Sequence, residues 1–395
     1  MLNTFLKPLA HRGVVSALEH VFALHAGITG TRALFPIPPD GDAAWGRGRL
    51  SVRGGWRFLH LEGSPREMGL QHGRLLGPLI HTLLEAYLGG IRTFRRLTMD
   101  DLLRRGRTLE PFIPEPFLEE MHAIAEGAGL RYEEILVGHT FLESVQAVNC
   151  SCFAAFGDYT RTGEMIFGRN LDFLSMGVAH RCGVVVFAKP DRGIPFVSIS
   201  WPGWCGTLTA VNLNGLGIGP LNVGAMGRGL AGMPYVVMFR QMAQECSTCG
   251  EAENLLRRVP RTYGNNVLLT QTRPERLAVV AEYHHHEVAV RHPRPGRHGI
   301  AATNHFRLLG RAEEWPEHIG YRRYPLIGQI MDQYRGRIDL RTPILSDPRI
   351  FLQNSLHTLL AAPESRTIRV SLGRMPAAEE GYRTFRYDEN GIILE

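Results

Sequence analysis

The chain is nearly without lysine. Of its 44 basic residues only Lys7 and Lys189 are lysine, and the formal charge of +6 against 38 acidic residues is carried by arginine spread along the sequence. The densest basic cluster, residues 104–107 (Arg-Arg-Gly-Arg), has no aromatic residue between its charges. Nucleic-acid binding favours a clustered basic surface, with aromatic side chains where single strands stack. We therefore expect no nucleic-acid partner.

Long apolar runs are also missing. No stretch of eighteen apolar residues occurs, so no membrane span is expected. Residues 1–30 lack the compact apolar core and small-residue cleavage site of a secretory signal, and instead predict a short amphipathic helix. Six cysteines in 395 residues do not form a disulfide framework, so we expect a reduced, cytoplasmic protein. A homo-oligomer is left open.

The hydrophobic pattern changes character near residue 150. Before it, helical periodicity predicts helices over 65–87, 98–107, 116–127 and 132–136, after one strand at 56–61. After it, short strands punctuated by glycine and proline are interrupted by helices near 235–258 and 319–331. This order predicts an α+β fold of layered antiparallel sheets with helices outside.

Two strands that meet at this change carry the residues best suited to chemistry. Residues 149–157 read Asn-Cys-Ser-Cys-Phe-Ala-Ala-Phe-Gly, and after a polar turn residues 168–173 read Gly-Arg-Asn-Leu-Asp-Phe. Cys150 opens the first strand, while Arg169 and Asp172 lie at the end of the second. A thiol needs a neighbouring cation or base to act as a nucleophile at neutral pH. Arg169 could supply the cation, and Asp172 could hold Arg169 or an amine in place.

Two readings of the thiols remain open from the residues themselves. Cys150 and Cys152 could be small buried core residues beside an ordinary Arg169–Asp172 ion pair. If one is a nucleophile, Cys152 competes with Cys150, because residues two apart in a strand share a face. Were Cys150 to become a chain terminus, its α-amine could serve as the base.

The chain resembles the N-terminal-nucleophile hydrolases related to penicillin acyltransferase over roughly residues 55–390. Those enzymes carry a Cys-Thr/Ser-Ser-Phe-Ala strand, followed by a Gly-Arg/Gln-Asn-Leu/Trp-Asp-aromatic strand. Further stretches in the family's order are 61–73, 124–130, 214–222, 266–269, 303–306 and 355–358. Each short motif is weak alone, whereas their order together is a fairly specific signal.

The resemblance implies an αββα sandwich and a precursor that cuts itself between Asn149 and Cys150. Residues 1–149 would form a helical N-terminal segment and residues 150–395 the catalytic domain. The thiol of Cys150 would attack a small-molecule amide or acyl thioester and pass the acyl group to water or to an amine. No metal or organic cofactor is implied.

The resemblance also assigns roles to residues around Cys150. Arg169 and Asp172 would polarise and position the new terminus. Asn222 and Asn266 are candidates for oxyanion and substrate contacts, because preorganised amide donors stabilise charge that develops on a carbonyl oxygen. Asn265 competes with Asn266, although the Leu-Leu that follows favours Asn266. A further cation would come from Arg322 or Arg323.

Other hypotheses compete with this interpretation. Cys246 and Cys249, with Cys150 and Cys152, have spacings compatible with a structural zinc site. A Cys–His hydrolase without self-cleavage would need a histidine, for which the candidates are His139, His305 and His357. A binding protein with a silent site on the same fold is the non-enzymatic alternative.

Overall fold

A computed structural model describes residues 36–95, 97–143, 149–223, 231–310 and 319–394. The amphipathic helix expected near the N-terminus lies outside these ranges. No helix within them combines the length and the apolar character needed to cross a bilayer.

The helices of these ranges begin and end close to the positions that periodicity predicts. They are α1 Pro65–Arg95, α2 Met99–Leu109, α3 Glu115–Ala128, α4 Tyr132–Thr140, α5 Tyr235–Glu245, α6 Cys249–Arg258 and α7 Ile319–Gln333. The strands are β1 Ala43–Trp45, β2 Gly48–Arg53, β3 Trp56–Gly63, β4 Asn149–Ala155, β5 Ile166–Asp172, β6 Val184–Pro190, β7 Phe196–Ser200, β8 Ala210–Asn212, β9 Gly217–Asn222, β10 Asn265–Gln271, β11 Leu277–Tyr283, β12 Val288–Arg291, β13 Gly299–Ala302, β14 Ser355–Ala362, β15 Thr367–Leu372, β16 Arg383–Asp388 and β17 Gly391–Ile393.

Helix α1 begins with a reciprocal cap and packs closely on α3. The Ser64 N–H donates to Glu67 Oε2 at 2.8 Å, and the Glu67 N–H donates to Ser64 Oγ at 3.3 Å. A Cβ atom on Gly73 would lie 2.4 Å from the Ile124 carbonyl oxygen of α3, so only glycine allows this approach. The Gly-x-x-x-Gly spacing of residues 69–73 therefore serves helix packing.

The strands form two sheets. The larger has the order β1-β2-β3-β6-β7-β8-β9-β10-β11-β12, and the smaller has the order β13-β4-β5-β14-β15-β16-β17. Neighbouring strands are antiparallel except β3 and β6, whose parallel pairing is bridged by the helices α1 to α4 and by the hairpin β4–β5. The hairpin that carries the candidate nucleophile thus lies inside the smaller sheet.

The sheets stack face to face, with helices on both outer sides. A Cβ on Gly219 of β9 would lie 2.9 Å from Cys152 Sγ and 3.0 Å from the Phe167 ring, so this glycine lets the sheets meet. Helices α5 and α6 pack on strands β8 to β11, and α7 packs on β4 and β13. The predicted α+β sandwich of antiparallel sheets is confirmed.

The segment before Cys150 is more than a helical cover. Residues 43–63 add strands β1 to β3 to the larger sheet, and β3 pairs along its whole length with β6. The sequence predicts a loop at residues 37–42 and a first strand only from residue 56, so strands β1 and β2 are additions that the structure makes. The division at residue 149 stays a prediction about processing, since the larger sheet contains strands from both sides of it.

Candidate active site

Cys150 is the second residue of β4 and lies at the edge where β4 meets β5. Across the pair, Cys150 faces Leu171 and Cys152 faces Arg169, whereas Asn149 faces Asp172. Side chains alternate along a strand, so Cys150, Cys152 and Arg169 share the face toward the larger sheet. Asp172 belongs to the opposite face, toward α7. The hairpin therefore places the predicted cation and carboxylate on two sides of the Cys150 backbone.

The thiol of Cys150 has Arg169 as its side-chain partner. Arg169 Nη2 lies 3.1 Å from Cys150 Sγ and also donates to the Pro220 carbonyl at 2.7 Å, while Nη1 donates to Thr209 Oγ1 at 2.6 Å. Burial raises the pKa of the Cys150 thiol, and the Arg169 charge opposes this rise without overcoming it. The thiol of the continuous chain is therefore protonated at neutral pH.

The backbone of Cys150 is held on both sides of its Cα. Its N–H donates to Asn304 Oδ1 at 2.7 Å, and its carbonyl accepts from Arg323 Nη2 at 3.0 Å. Arg323 Nη2 also donates to Asn304 Oδ1 at 3.1 Å, and Nη1 donates to Asp172 Oδ2 at 2.9 Å. In the continuous chain the Cys150 nitrogen is an amide. Asn304 Oδ1 therefore lies as an acceptor where the α-amine of Cys150 would be after cleavage.

Asp172 is fully buried and only partly neutralised. Arg323 binds Oδ2, but Oδ1 has no hydrogen-bond partner among the described residues. Burial raises the pKa of the Asp172 carboxyl, against the opposing charge of Arg323. An unpaired carboxylate oxygen next to the end of β4 can accept a proton or bind an ammonium group.

The predicted asparagines, Asn222 and Asn266, differ in how they contact Asn304 and its turn. The backbone carbonyl of Asn222 accepts from Asn304 Nδ2 at 2.8 Å, which brings Asn222 to the site. Within the described part of the chain, the Asn222 side-chain amide makes no hydrogen bond. Asn266 instead donates to the carbonyls of Thr303 and His305 at 2.8 and 2.7 Å, so it supports the turn that carries Asn304.

Asn265, the alternative to Asn266, points to the other face of β10. It pairs across the sheet with Asn222 on one side and Tyr283 on the other. Its amide lies beside the Tyr283 phenol, but the two groups do not reach hydrogen-bond geometry. Neither Asn265 nor Asn266 contacts Cys150 directly. The structure adds Asn304, whose Oδ1 accepts from the Cys150 N–H, while the oxyanion and substrate contacts of Asn222 and Asn266 stay predictions.

Cys152 has a less favourable setting for nucleophilic attack. Its Sγ lies 3.6 Å from the Gly219 carbonyl, and burial strongly raises the pKa of its thiol. The Arg169 charge lowers the pKa of both thiols, and its Nη2 lies 3.1 Å from Cys150 Sγ. Of the two candidate arginines of α7, Arg323 is the one that contacts Cys150, through its carbonyl. Arg323 is fully buried, whereas Arg322 is exposed.

None of the three candidate histidines is the side-chain partner of the Cys150 thiol. His139 Nε2 lies 3.2 Å from Cys205 Sγ, a different cysteine. His305 stacks on Tyr321, with ring centroids 4.1 Å apart. His357 Nε2 bonds Thr209 Oγ1 at 2.9 Å and lies 3.5 Å from Arg169 Nη1. His357 is therefore a neighbour of the arginine rather than of the thiol.

The zinc hypothesis is wrong for the described residues. No group of three or more His, Cys, Asp or Glu side chains among them could hold a metal. Cys150 and Cys152 lie in the smaller sheet, whereas Cys246 and Cys249 flank the junction of α5 and α6 outside the larger sheet. The larger sheet therefore separates the two pairs of thiols.

An apolar pocket lies beside the end of the hairpin. Leu171, the cross-strand neighbour of Cys150, is in its wall together with Phe173 of the following turn. The remaining wall comes from both parts of the chain: Ile80, Leu83, Leu84, Tyr87, Leu88, Ile135, Gly138, Phe141 and Leu142 before the hairpin, and Ala179, Trp201, Pro202, Gly203, Trp204 and Leu208 after it. Its lining suits an aliphatic or aromatic group.

The site and the sandwich together define a class: a two-sheet protein with a cysteine at the start of a central strand, held between an arginine and an asparagine. The family described as acyl-coenzyme A:6-aminopenicillanic acid acyl-transferase matches residues 160–375, more than half of the 395-residue chain. The chain belongs to this family, which confirms the predicted resemblance. The match includes Arg169, Asp172, Asn304 and Arg323 but begins after Cys150.

Individual curated relatives match about half of this chain at 30% identity or less. An uncharacterized protein of Archaeoglobus fulgidus is 30% identical over 243 residues, covering 53% of this chain and 40% of that protein. Protein dcd1A of Dictyostelium discoideum is 27% identical over 239 residues, covering 52% of this chain and 53% of that protein. The chain thus spans about half, or less, of the length of the curated relatives it matches.

Solved structures with a similar chain path share little sequence. The Caenorhabditis elegans ortholog of N-acylethanolamine-hydrolyzing acid amidase is 15% identical, with 60% of this chain and all of that chain covered at a TM-score of 0.45. Penicillin V acylase from Agrobacterium tumefaciens is 12% identical, with 56% and 83% covered at a TM-score of 0.38.

Proposed function

We propose that the chain cuts itself between Asn149 and Cys150, and that Cys150 then serves as the N-terminal nucleophile of an amide hydrolase or acyltransferase. One observation carries the proposal: Arg169 contacts the thiol at 3.1 Å, while Asn304 and Arg323 hold the backbone nitrogen and carbonyl of the same residue. A structural cysteine would need none of these three polar contacts. A nucleophile that is also a chain terminus would use all of them.

Self-cleavage proceeds through a thioester. The Cys150 thiol adds to the Asn149 carbonyl, the C–N bond breaks, and the nitrogen of Cys150 leaves as an amine with the proton from sulfur. Water then hydrolyses the thioester, which leaves a carboxylate on Asn149 and restores the thiol. The raised pKa of Cys150 means that this thiol is protonated before cleavage, so the proton needed by the leaving amine is present at the start.

After cleavage the freed α-amine is the base for catalysis. It lies where Asn304 Oδ1 accepts a hydrogen bond, and Asp172, which shares Arg323 with the Cys150 carbonyl, is a carboxylate that can bind its protonated form. The amine takes the thiol proton, the thiolate adds to the substrate carbonyl, and the proton passes to the leaving amine. The acyl-enzyme is then resolved by water or by an acceptor amine.

Oxyanion stabilisation falls to Asn222 and to donors near it. Its side-chain amide has no other hydrogen bond within the described residues, and its backbone is tied to Asn304. A preorganised donor at this position costs no rearrangement when charge develops on the carbonyl oxygen. Asn266 contributes indirectly, since it fixes the turn of residues 303–305.

The acyl group of the substrate is apolar. The pocket beside Leu171 is lined almost wholly by aliphatic and aromatic side chains, and Leu171 is the cross-strand partner of Cys150. Burying an acyl chain there supplies binding energy of about 25 cal/mol for each Å² of apolar surface. We therefore expect linear or aromatic acyl amides rather than polar ones as substrates.

The test is intact mass and N-terminal sequencing of purified protein, with matched cysteine variants. Wild type and Cys152→Ser should split into two chains, one of which begins at Cys150. Cys150→Ala should stay whole and inactive. An intact wild-type chain that is fully active would overturn self-processing, and cleavage that persists in Cys150→Ala would overturn the nucleophile. In the processed protein, alkylation no faster at Cys150 than at buried Cys182 or Cys205 would favour a silent site.

A further inference from the structure

The loop of residues 201–206 (Trp-Pro-Gly-Trp-Cys-Gly) forms one wall of the apolar cavity. Trp201, Pro202, Gly203 and Trp204 all line it. A second, much smaller space borders the same loop, where Trp204, Cys205 and Gly206 contribute to its lining. The loop therefore borders both spaces, and Trp204 lines both of them.

The second space has a mixed polar and apolar lining. His72, Glu120, Ser198, Ser200 and Arg240 line it together with Leu61, Val186, Ala188 and Phe196. Three buried atoms, His72 Nδ1, Ser200 Oγ and Arg240 Nε, have no hydrogen-bond partner among the described residues. Arg240 Nη1 donates to the Cys205 carbonyl of the loop at 3.0 Å, so one side chain on this side holds the loop.

Two histidines of the N-terminal helices hold the backbone of the loop. The Gly203 N–H donates to His72 Nε2 of α1 at 2.9 Å, and the Cys205 N–H donates to His139 Nε2 of α4 at 3.0 Å. His139 Nδ1 donates in turn to the Ile135 carbonyl at 2.8 Å, which fixes its Nε2 as the acceptor. Both rings are thus neutral acceptors aimed at backbone donors.

The surroundings keep both rings neutral. Burial lowers the pKa of His72 to about 3, helped by His139 and Arg240, and burial lowers the pKa of His139 to about 4. Glu120 lies on the same cavity, but its carboxylate pairs with Arg240 at 3.3 Å rather than with a histidine. The acceptor role therefore persists across the neutral pH range.

Two further contacts tie the loop to the same helices. Trp204 Nε1 donates to the Gly138 carbonyl of α4 at 2.7 Å. Gly203 has φ of +87°, and a Cβ there would lie 3.0 Å from the Ile80 side chain of α1. Each contact joins a residue before the predicted cut to a residue after it. The loop is positioned by the N-terminal segment, not by the sheets alone.

We propose that His72 and His139 are positioning residues that set the acyl-chain selectivity of the cavity by holding the loop of residues 201–206 against α1 and α4. This rests on the proposed function for the identity of the substrate, but not for the ligand-binding property of the cavity. The ligand class is an apolar acyl chain. Loss of either histidine leaves the buried N–H of Gly203 or Cys205 unpaired. The loop then shifts, and its two tryptophans shift with it.

The test compares His72→Leu and His139→Leu with His72→Gln and His139→Gln, whose amide oxygens can replace Nε2 as acceptor. His81→Leu on the exposed face of α1 is the matched control. Each protein is titrated with dodecanoic acid and followed by tryptophan fluorescence, which requires no catalysis. Kinetics are then measured on acetyl and dodecanoyl amides of one amine.

The Leu variants should weaken dodecanoic acid binding and raise KM for the dodecanoyl amide on the order of tenfold, the effect of one unpaired buried N–H. The kcat for both amides and the KM for the acetyl amide should stay within about twofold to threefold, and the Gln variants should restore binding. An unchanged chain-length profile in folded Leu variants, or an equal loss on both substrates, would overturn the proposal.

Trp204→Phe keeps the inference testable if a Leu variant does not fold. This variant keeps an aromatic ring but removes the donor to Gly138, so it should shift the chain-length profile in the same direction. An unchanged profile would again contradict the proposal. If the wild type turns over no amide, the proposed function fails, while the dodecanoic acid titrations still decide whether the histidines position the loop.

Discussion

Replacing Arg323 tests how the site depends on one buried ion pair. Arg323 and Asp172 are both fully buried, with Nη1 and Oδ2 2.9 Å apart. Arg323→Met removes the partner of Asp172 together with the donors to the Cys150 carbonyl and Asn304 Oδ1. Sequence reasoning could not choose between Arg322 and Arg323, so Arg322→Met is a control from the same turn of α7.

The expected cost follows from leaving one charge buried alone. Breaking a buried pair by removing one partner destabilises by about 3–5 kcal/mol, whereas a substitution at an exposed residue such as Arg322 stays within about 0.5 kcal/mol. Asp172→Asn in the Arg323→Met background removes the orphaned charge and should recover part of the loss. It should not recover cleavage or activity, because the contacts with Cys150 and Asn304 stay broken.

The loss of stability in Arg323→Met should depend on pH, and the buried carboxyl of Asp172 determines the direction. Burial already raises the pKa of Asp172 above its ordinary 3.8, and without the guanidinium the pKa rises further. A carboxyl with a higher pKa in the folded than in the unfolded state binds more protons when folded, so stability falls as pH rises through that window. The deficit of Arg323→Met should therefore grow from pH 5 to pH 8.

Urea unfolding of the cysteine-inactive form measures these differences without interference from cleavage. All variants are built on Cys150→Ala, and free energies of unfolding are compared at pH 5 and pH 8. Equal stability of the Arg322→Met and Arg323→Met proteins would refute the assignment of Arg323 to the site. So would full activity of Arg323→Met in the background that retains Cys150.

Three more outcomes follow from the geometry. Asn304→Ala should abolish cleavage and turnover, whereas Asn266→Ala should lower kcat while cleavage continues; the reverse order in gel and kinetic assays would contradict the assignment. Burial raises the pKa of Glu143 to about 8 from 4.5, so by pH 8 it has cost at most about 5 kcal/mol. Urea unfolding should show Glu143→Gln stabilising at pH 8 and nearly neutral at pH 5; equal effects would contradict this. Gly219→Val should block folding, because Cys152 and Phe167 occupy the space; a normally folded variant by circular dichroism would contradict the sheet packing.

Periodicity was sufficient for the larger elements of the fold. Helices α1 and α3 have regular apolar stripes and clear boundaries, so their predicted ends differ from the observed ends by only a few residues, except for the longer C-terminal end of α1. Strands β1, β2, β9, β13, β16 and β17 were not predicted. Residues 217–222 (Gly-Ile-Gly-Pro-Leu-Asn) look like a turn because glycine and proline are rare in strands. Here the glycines are required by the close approach of Phe167 from the other sheet.

The hairpin explains which site residues a local pattern could find. Cys150, Arg169 and Asp172 lie on two adjacent strands, so sequence distance and spatial distance agree. Asn304 bonds the backbone nitrogen of Cys150 from 154 residues away in the chain, and Arg323 bonds its carbonyl from 173 residues away. Nothing local to residues 303–306 indicates that contact. The Asn266 amide nitrogen donates to the Thr303 and His305 carbonyls, and its oxyanion or substrate contact stays a prediction.

The central claim is that the acyl group passes through the sulfur of a new N-terminal cysteine. The most direct measurement is the mass of the protein quenched during turnover of a dodecanoyl amide, followed by peptide mapping. The account predicts a dodecanoyl adduct confined to the chain that begins at Cys150, located on Cys150 and absent in Cys150→Ala. An adduct on Cys152 or Cys205, or turnover by an uncut chain with no adduct at Cys150, would contradict it.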